Sequence, residues 1–297
     1  MTNNHADSSN YLANLSNDEQ GLLLLQALAA NDAELHRHSP DTNPVEYAVA
    51  KGNRGLLLQD LANLPSEDRR ARLLQALAAF DEALLFFSSD TNPLDYAGTQ
   101  NNRGLVLSAL ANLSNEDRQA RLLQSLAAYD EAVRFRQPET VPLEYAAVQS
   151  SRGLMLSALA DLPGEDRRAL LERAAVAYAE ALRFYDLNNA PFEHAAVQIN
   201  QSRVLCDLAK LSDENRFELL NQALGGSWSA LAIFQRLHQD YYAQLAANTA
   251  GKICVQAGEF FPTIWDSLNG GEIPTWLTEY VQWQRVPSAF RAATQLY

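Results

Sequence analysis

The sequence predicts an all-α solenoid of antiparallel helix pairs, with four full units, a half unit ahead of them and a helical cap behind. Three observations carry this expectation. Pro44, Pro93, Pro142 and Pro191 stand 49 residues apart, and Leu61, Leu110, Leu159, Leu208 and Arg69, Arg118, Arg167, Arg216 keep the same step. Residues 42–90 align without gaps on 91–139 with 29 identities in 49 positions, which marks an internal repeat. Each unit also holds two helical patterns parted by a stop signal, and no run shows the period-two alternation of a strand.

Taken in order, residues 1–10 read as a disordered N-terminus and 11–41 as a half unit. YLANLSNDEQGLLLLQALAAND, from Tyr11, matches the second half of the repeat: Leu12–Leu15 lie 49 residues before Leu61–Leu64. The full units are 42–90, 91–139, 140–188 and 189–238. Helix A of each opens at the repeated proline, whose missing N–H is no loss in a first turn; Asn43 and Asn92 are expected to cap it. It runs to about Leu64 or Leu113. A break follows in LPSEDRR, LSNEDRQ, LPGEDRR and LSDENRF, where Ser114 and Asp117 have the spacing of a capping box. Helix B then carries Leu73, Ala76, Leu77, Phe80, Ala83 and Leu84 at three-and-four spacing. YYAQLAANTAGKICVQAG, within 239–258, reads as a decayed helix A shifted by one residue. Residues 259–297 hold Trp265, Trp276 and Trp283 with prolines and the Gly270-Gly271 pair. They read as a cap whose aromatics cover the last repeat, since a terminal repeat must hide an apolar face; a docking segment is the alternative.

Composition narrows the function. The chain has 297 residues and a formal charge of -13, from 23 basic against 36 acidic residues. That sign argues against a phosphate-tracking nucleic-acid binder, whose affinity rests on clustered Lys and Arg, and favours a basic peptide or protein partner. MTNNHADSSN has neither a basic start nor an apolar run, no stretch approaches the roughly 18 apolar residues of a membrane span, and Cys206 and Cys254 are the only cysteines. The expectation is a cytoplasmic protein.

At helix B the chain resembles the tetratricopeptide (TPR) family. Ala76, Phe80 and Ala83, repeated as Ser125, Tyr129, Ala132 and as Ala174, Tyr178, Ala181, match the small-aromatic-small spacing of its second helix. Gly55, Gly104 and Gly153 match the glycine of its first helix. The likeness spans residues 11–258, but the unit is longer than the family's usual period of about 34 residues. It looks like the long variant of bacterial signalling proteins. The resemblance implies a right-handed superhelix whose helices A line a concave groove.

One feature departs from that family. Tyr96, Gln100, Arg103, Leu107 and Leu110 share a helix face, and Arg54, Arg103 and Arg152 stand where the family has an apolar core residue. In the fourth unit Gln201 replaces the arginine and His194 the tyrosine. Two readings stay open. The arginines form an internal ladder with carboxylates, for which Asp81, Glu82, Asp130, Glu131 and Glu180 on helix B and Glu46, Asp95 and Glu144 on helix A are candidates; or they open onto the groove and hold an anion. The Asp68-Arg69, Asp117-Arg118 and Asp166-Arg167 pairs begin helix B, where a basic residue opposes the helix dipole, so these arginines are expected to reach a neighbouring unit.

The groove-facing positions on this register are Asn101, Leu105, Ser108 and Ala109, then Ser150, Leu154, Ser157 and Ala158, with Arg203 in the place of leucine in the fourth unit. Small or polar, they suit an extended peptide, and their small size equally suits tight curvature of the stack. No catalytic constellation stands out. His36 and His38 are two apart and do not share a helix face, and His194 reads as a core histidine. Cys206 and Cys254, placed at equivalent positions by the one-residue shift, are too widely separated for a disulfide if their helices pack 8 to 10 Å apart. No phosphate loop, HExxH or GxSxG occurs. The expectation is a non-enzymatic interaction scaffold needing no cofactor or metal. The alternative is a helical-repeat enzyme or small-ligand sensor with a pocket near Trp265, Trp276 and Arg203.

Overall fold

The computed structural model describes residues 16–114, 116–212, 214–268 and 272–285. Residues 1–10, Tyr11–Leu15 of the half unit, Gly270-Gly271, residues 286–297 and the side chain of Trp283 lie outside the described residues. Among those described, all regular structure is helical, with neighbouring helices packed in consecutive pairs as in a helical solenoid. The chain divides into two compact units, residues 1–140 and 141–297.

Unit 1 holds α1 (Asn17–Leu35), α2 (Pro44–Leu61), α3 (Arg69–Ala83), α4 (Pro93–Ala111) and α5 (Arg118–Phe135). Ser16 starts α1 with a complete capping box to Glu19. The prolines at α2 and α4 sit at the expected first position, but Asn43 and Asn92 do not cap: neither side chain reaches a helical N–H, and each instead accepts from the preceding threonine hydroxyl. The preset φ of proline and the Asn43 carbonyl, which takes the Tyr47 N–H at 2.9 Å, start α2 without a side chain. Helices A end sooner than the sequence suggests, at Leu61 and Ala111, and the chain closes through tight turns. The capping box at Ser114 is not formed. Asp117 is itself the cap, accepting the Ala120 N–H at 3.0 Å, as Asp68 accepts the Ala71 N–H. The core of this unit gathers Leu24, Leu28, Leu58, Leu61, Leu73, Phe80, Val106 and Leu110.

Unit 2 holds α6 (Pro142–Ala160), α7 (Arg167–Leu182), α8 (Pro191–Ala209), α9 (Arg216–Arg236), α10 (Asp240–Ala257), α11 (Phe261–Leu268) and α12 (Thr275–Arg285). Val141 and Ala190 precede α6 and α8, which confirms that no capping side chain is needed there. The expected one-residue shift in α10 does not occur. Asp240 follows Pro191 by 49 residues and Gly251 follows Ser202 by the same step. Gly258, at φ 56°, ends α10 with its N–H on the Cys254 carbonyl.

Glycine sets how closely the helices approach. A Cβ on Gly104 would come within 2.8 Å of the Tyr129 ring, and one on Gly55 within 2.6 Å of Phe80. In unit 2, Gly153 stands 2.8 Å from Tyr178 by the same measure. The fourth repeat reverses the arrangement, with Ser202 on α8 against Gly226 on α9. At Gly251 of α10 the aromatic partner is Tyr280 of α12, so the C-terminal helix supplies the ring that helix B supplies elsewhere. Phe261, Ile264, Trp265, Leu277 and Val281 join Leu205, Leu220, Ile253 and Cys254 in one core cluster. Trp228 packs edge-on to Trp265 at 4.9 Å and stacks on Trp276 at 6.1 Å. Phe261, Trp265 and Trp276 thus pack with residues of α8, α9 and α10.

Candidate functional site

The face made by helices A begins with a tyrosine. Tyr47 donates to Glu82, Tyr96 to Glu131 at 3.2 Å and, in unit 2, Tyr145 to Glu180 at 3.2 Å. Each ring meets a phenylalanine edge-on, at 5.4 Å for Phe86, 5.6 Å for Phe135 and 5.5 Å for Phe184. Gln100 and Gln149 add an amide N–H to their tyrosine oxygens. These contacts tie the first turn of helix A to the last turn of helix B, and they engage Glu82, Glu131 and Glu180. His194 lacks the phenol and instead places Nδ1 2.8 Å from the Tyr185 carbonyl; it is half-buried.

The arginines accordingly take a different acid. Arg54 Nε donates to Asp32 at 2.9 Å and Arg103 Nε to Asp81 at 2.6 Å, each on the helix preceding its own. The pairs are not buried: the side chains are 27% exposed for Arg103 and 50% for Asp81. A pair so wetted is worth about 0–1 kcal/mol and sets register more than stability. The spacing of 22 residues recurs as Asp130 and Arg152, and in the fourth repeat both members change together, to Ala179 and Gln201. Glu46, Asp95 and Glu144 are not the partners of Arg54 and Arg103. The arginines opening helix B mostly turn back rather than outward. Arg69 reaches the Ala62 carbonyl and Asn63, Arg118 reaches Asn112, and Arg167 reaches both Ala160 and, at 3.3 Å, Asp207 of the next helix A.

The groove positions lie as follows. In unit 1, Asn101, Ser108 and Ala109 are half-buried, while Leu105 and its repeat equivalent Leu56 are exposed. A cavity of about 210 Å³ opens between α2 and α4, lined by Val49, Leu56, Leu94, Asp95 and Asn102 among others. A second, of about 250 Å³, is bordered by Glu34, His38, Val45 and Glu46. In unit 2, Ser150, Ser157 and Ala158 are half-buried and Leu154 and Arg203 exposed. Arg203 lines a cavity of about 640 Å³ between α8 and α10, with Cys206, Asp207, Lys210, Asn248, Thr249, Lys252 and Gln256.

Lys210, Asn248, Thr249 and Lys252 are cavity residues that the sequence reading missed. The signal was present: Lys252 is 49 residues after Arg203, but a supposed shift in α10 hid the correspondence. Trp265 and Trp276 do not line this cavity, and Trp265 belongs to the core. Cys206 and Cys254 are free, buried and not at equivalent repeat positions. Burial pushes the Cys206 thiol up to about 11 and the Cys254 thiol to about 12, so neither is a nucleophile near neutral pH. Among the described residues no group of three or more metal-ligating side chains occurs, and no helix is long and apolar enough to cross a membrane.

Fold and faces together define a helical-repeat protein, all-α, with open cavities between successive helices A. No family model and no curated protein matches the chain. Among solved structures, the crystal structure of BtubC (BKLC) from P. vanneervenii is similar in fold, with a TM-score of 0.54 at 18% identity over 84% of this chain and 94% of that one.

Proposed function

We propose that the protein is a non-enzymatic scaffold of the tetratricopeptide type, in which the helix A face receives an extended peptide or protein segment. The observation that carries this reading is the pair Leu56 and Leu105. They occupy one repeat position on adjacent helices A and are 41% and 38% exposed, and Leu56 lines the cavity between α2 and α4. A repeat protein exposes aligned apolar side chains in a groove at a cost in solubility, and binding surfaces are where that cost is offset. Asp95, Glu34 and Glu46 rim the unit 1 cavities, and with the overall charge of -13 they favour a segment carrying apolar and basic residues there. A cytoplasmic, bacterial signalling setting goes with this reading.

The test is site-specific photo-crosslinking in the native cell. A benzophenone side chain at Leu105 should give discrete protein adducts. One at Leu123, which is 47% exposed and so more open than Leu105 but lies on helix B, should give none. Equal yields from both positions, or none from Leu105, would reject the groove.

A further inference from the structure

Lys51, Lys210 and Lys252 are the only lysines of the chain, and two of them line the cavity between α8 and α10. Arg203 lines it too. Arg203 and Lys252 occupy one repeat position on successive helices A, 49 residues apart, where Leu154 stands on α6 and Leu56 and Leu105 in unit 1. An exposed leucine thus becomes an exposed cation in the last two helices A.

The local charges are not neutralised from within. Lys210 pairs with Asp207, the one carboxylate in the lining, and Asp207 also takes Arg167 at 3.3 Å. Arg203 and Lys252 form no hydrogen bond or ion pair among the described residues. In a chain of net charge -13, two aligned cations without an internal partner, one on each side of a cavity, leave a local positive field that an anionic group can engage. Structural arginines of this protein look different: Arg54 and Arg103 each hold an aspartate.

Resting on the groove reading above, we propose that the α8/α10 cavity receives an acidic peptide segment, with side-chain carboxylates on Arg203 and Lys252, and that the segment continues beyond the cavity to set an apolar side chain on the exposed Leu154 of α6. The occupant's chemistry at this site is opposite in sign to the one that the overall charge favours. Geometry also gives its spacing. Packed helices stand 8–10 Å apart and an extended chain advances about 3.3 Å per residue, so the anchors fall about three residues apart: apolar at i, acidic near i+3 and i+6. Asn248 borders the same cavity and adds a polar contact to the peptide backbone.

Fluorescence anisotropy with three labelled nonapeptides on one Ser-Gly background tests this. All carry leucine at position 2; positions 5 and 8 are both Asp, both Asn or both Lys. The Asp peptide should bind at least about tenfold more tightly than the Asn peptide and weaken with added salt, and the Lys peptide should bind least. The double variant Arg203→Glu with Lys252→Glu, checked for native helicity by circular dichroism, should lose the Asp peptide and prefer the Lys one. Binding of the Asn or Lys peptide to the unaltered protein as tight as that of the Asp peptide would overturn the acidic assignment and leave the groove standing. Failure of all three to bind would overturn it as well, and the groove itself would then stand or fall on the Leu105 crosslink.

Discussion

At the scale of single residues, the break between the paired helices is the most worked part of the repeat. In GluAspArg of the second repeat, Asp117 caps α5, Arg118 turns back to the end of α4, and Glu116 accepts from two arginines. Arg121 Nε donates to it at 2.8 Å, and Arg70 of the preceding repeat at 2.7 Å. The hydrogen bond from Arg121, with that from Arg70, holds the Glu116 carboxyl below the usual carboxylate range. A depressed carboxylate contributes stability that is present above its unfolded-state pKa of about 4.3 and is lost as pH falls through the lower folded value. Glu116→Gln should therefore lower the melting temperature at pH 7 and flatten its fall between about pH 5 and pH 3. An acid limb of unchanged slope in the variant would show that Glu116 carries none of this linkage. The motif was legible as a break, but the division of labour within it was not, because Asp117 and Ser114 are both competent caps by composition and only the backbone path selects between them.

Elements show a closer agreement between sequence and structure, and a sharper test. The glycines of helix A were readable because a residue without Cβ at a fixed distance from a repeated aromatic has one physical use, a close helix crossing. Gly104→Ala would drive a methyl group to within 2.8 Å of Tyr129, a ring that is fully buried and cannot swing away; overpacking of this kind costs about 1–3 kcal/mol. Gly52→Ala, on α2 with nothing within 4 Å of the new methyl group, should stabilise by about 0.5–1 kcal/mol through helix propensity. Urea denaturation of both variants checks the pair. Opposite signs are expected, and a gain of equal size in each would mean that helix propensity and not the ring contact governs these positions. The same reasoning explains a failure. The decayed α10 keeps its frame at Gly251 and Lys252, but the aromatic that Gly251 meets is Tyr280 on α12, beyond the reach of a pattern read within one repeat.

For the whole chain, the repeat announces itself in the sequence because every unit must bury the same face against its neighbour. What breaks the repeat is where sequence reasoning lost ground: Lys252 replaces leucine in α10, and Tyr280 of α12 supplies the ring that a helix B supplies elsewhere. The segment that holds Tyr280 was expected to cover the last repeat, and its effect on the two cysteines makes that measurable. Cys254 has no exposed surface and Cys206 very little, its Sγ–H donating to Gln256 Oε1 at 2.9 Å. With thiols raised to about 11 and 12, both stay protonated at pH 8, and the folded state would lose stability only as pH rises past the unfolded thiol value of about 8.5 toward those figures. The intact protein should thus take up iodoacetamide over hours at pH 8, whereas Ile264→Asp, which sets a charge into the fully buried α11 contact of that cluster, should expose both thiols to reaction within minutes. Cys206, on the cavity wall, should react ahead of Cys254 in either protein. Rapid labelling of both thiols in the intact protein would mean that residues 261–281 leave the cluster often enough not to be a cover at all, and the aromatic segment would then have to be read as a surface for a partner.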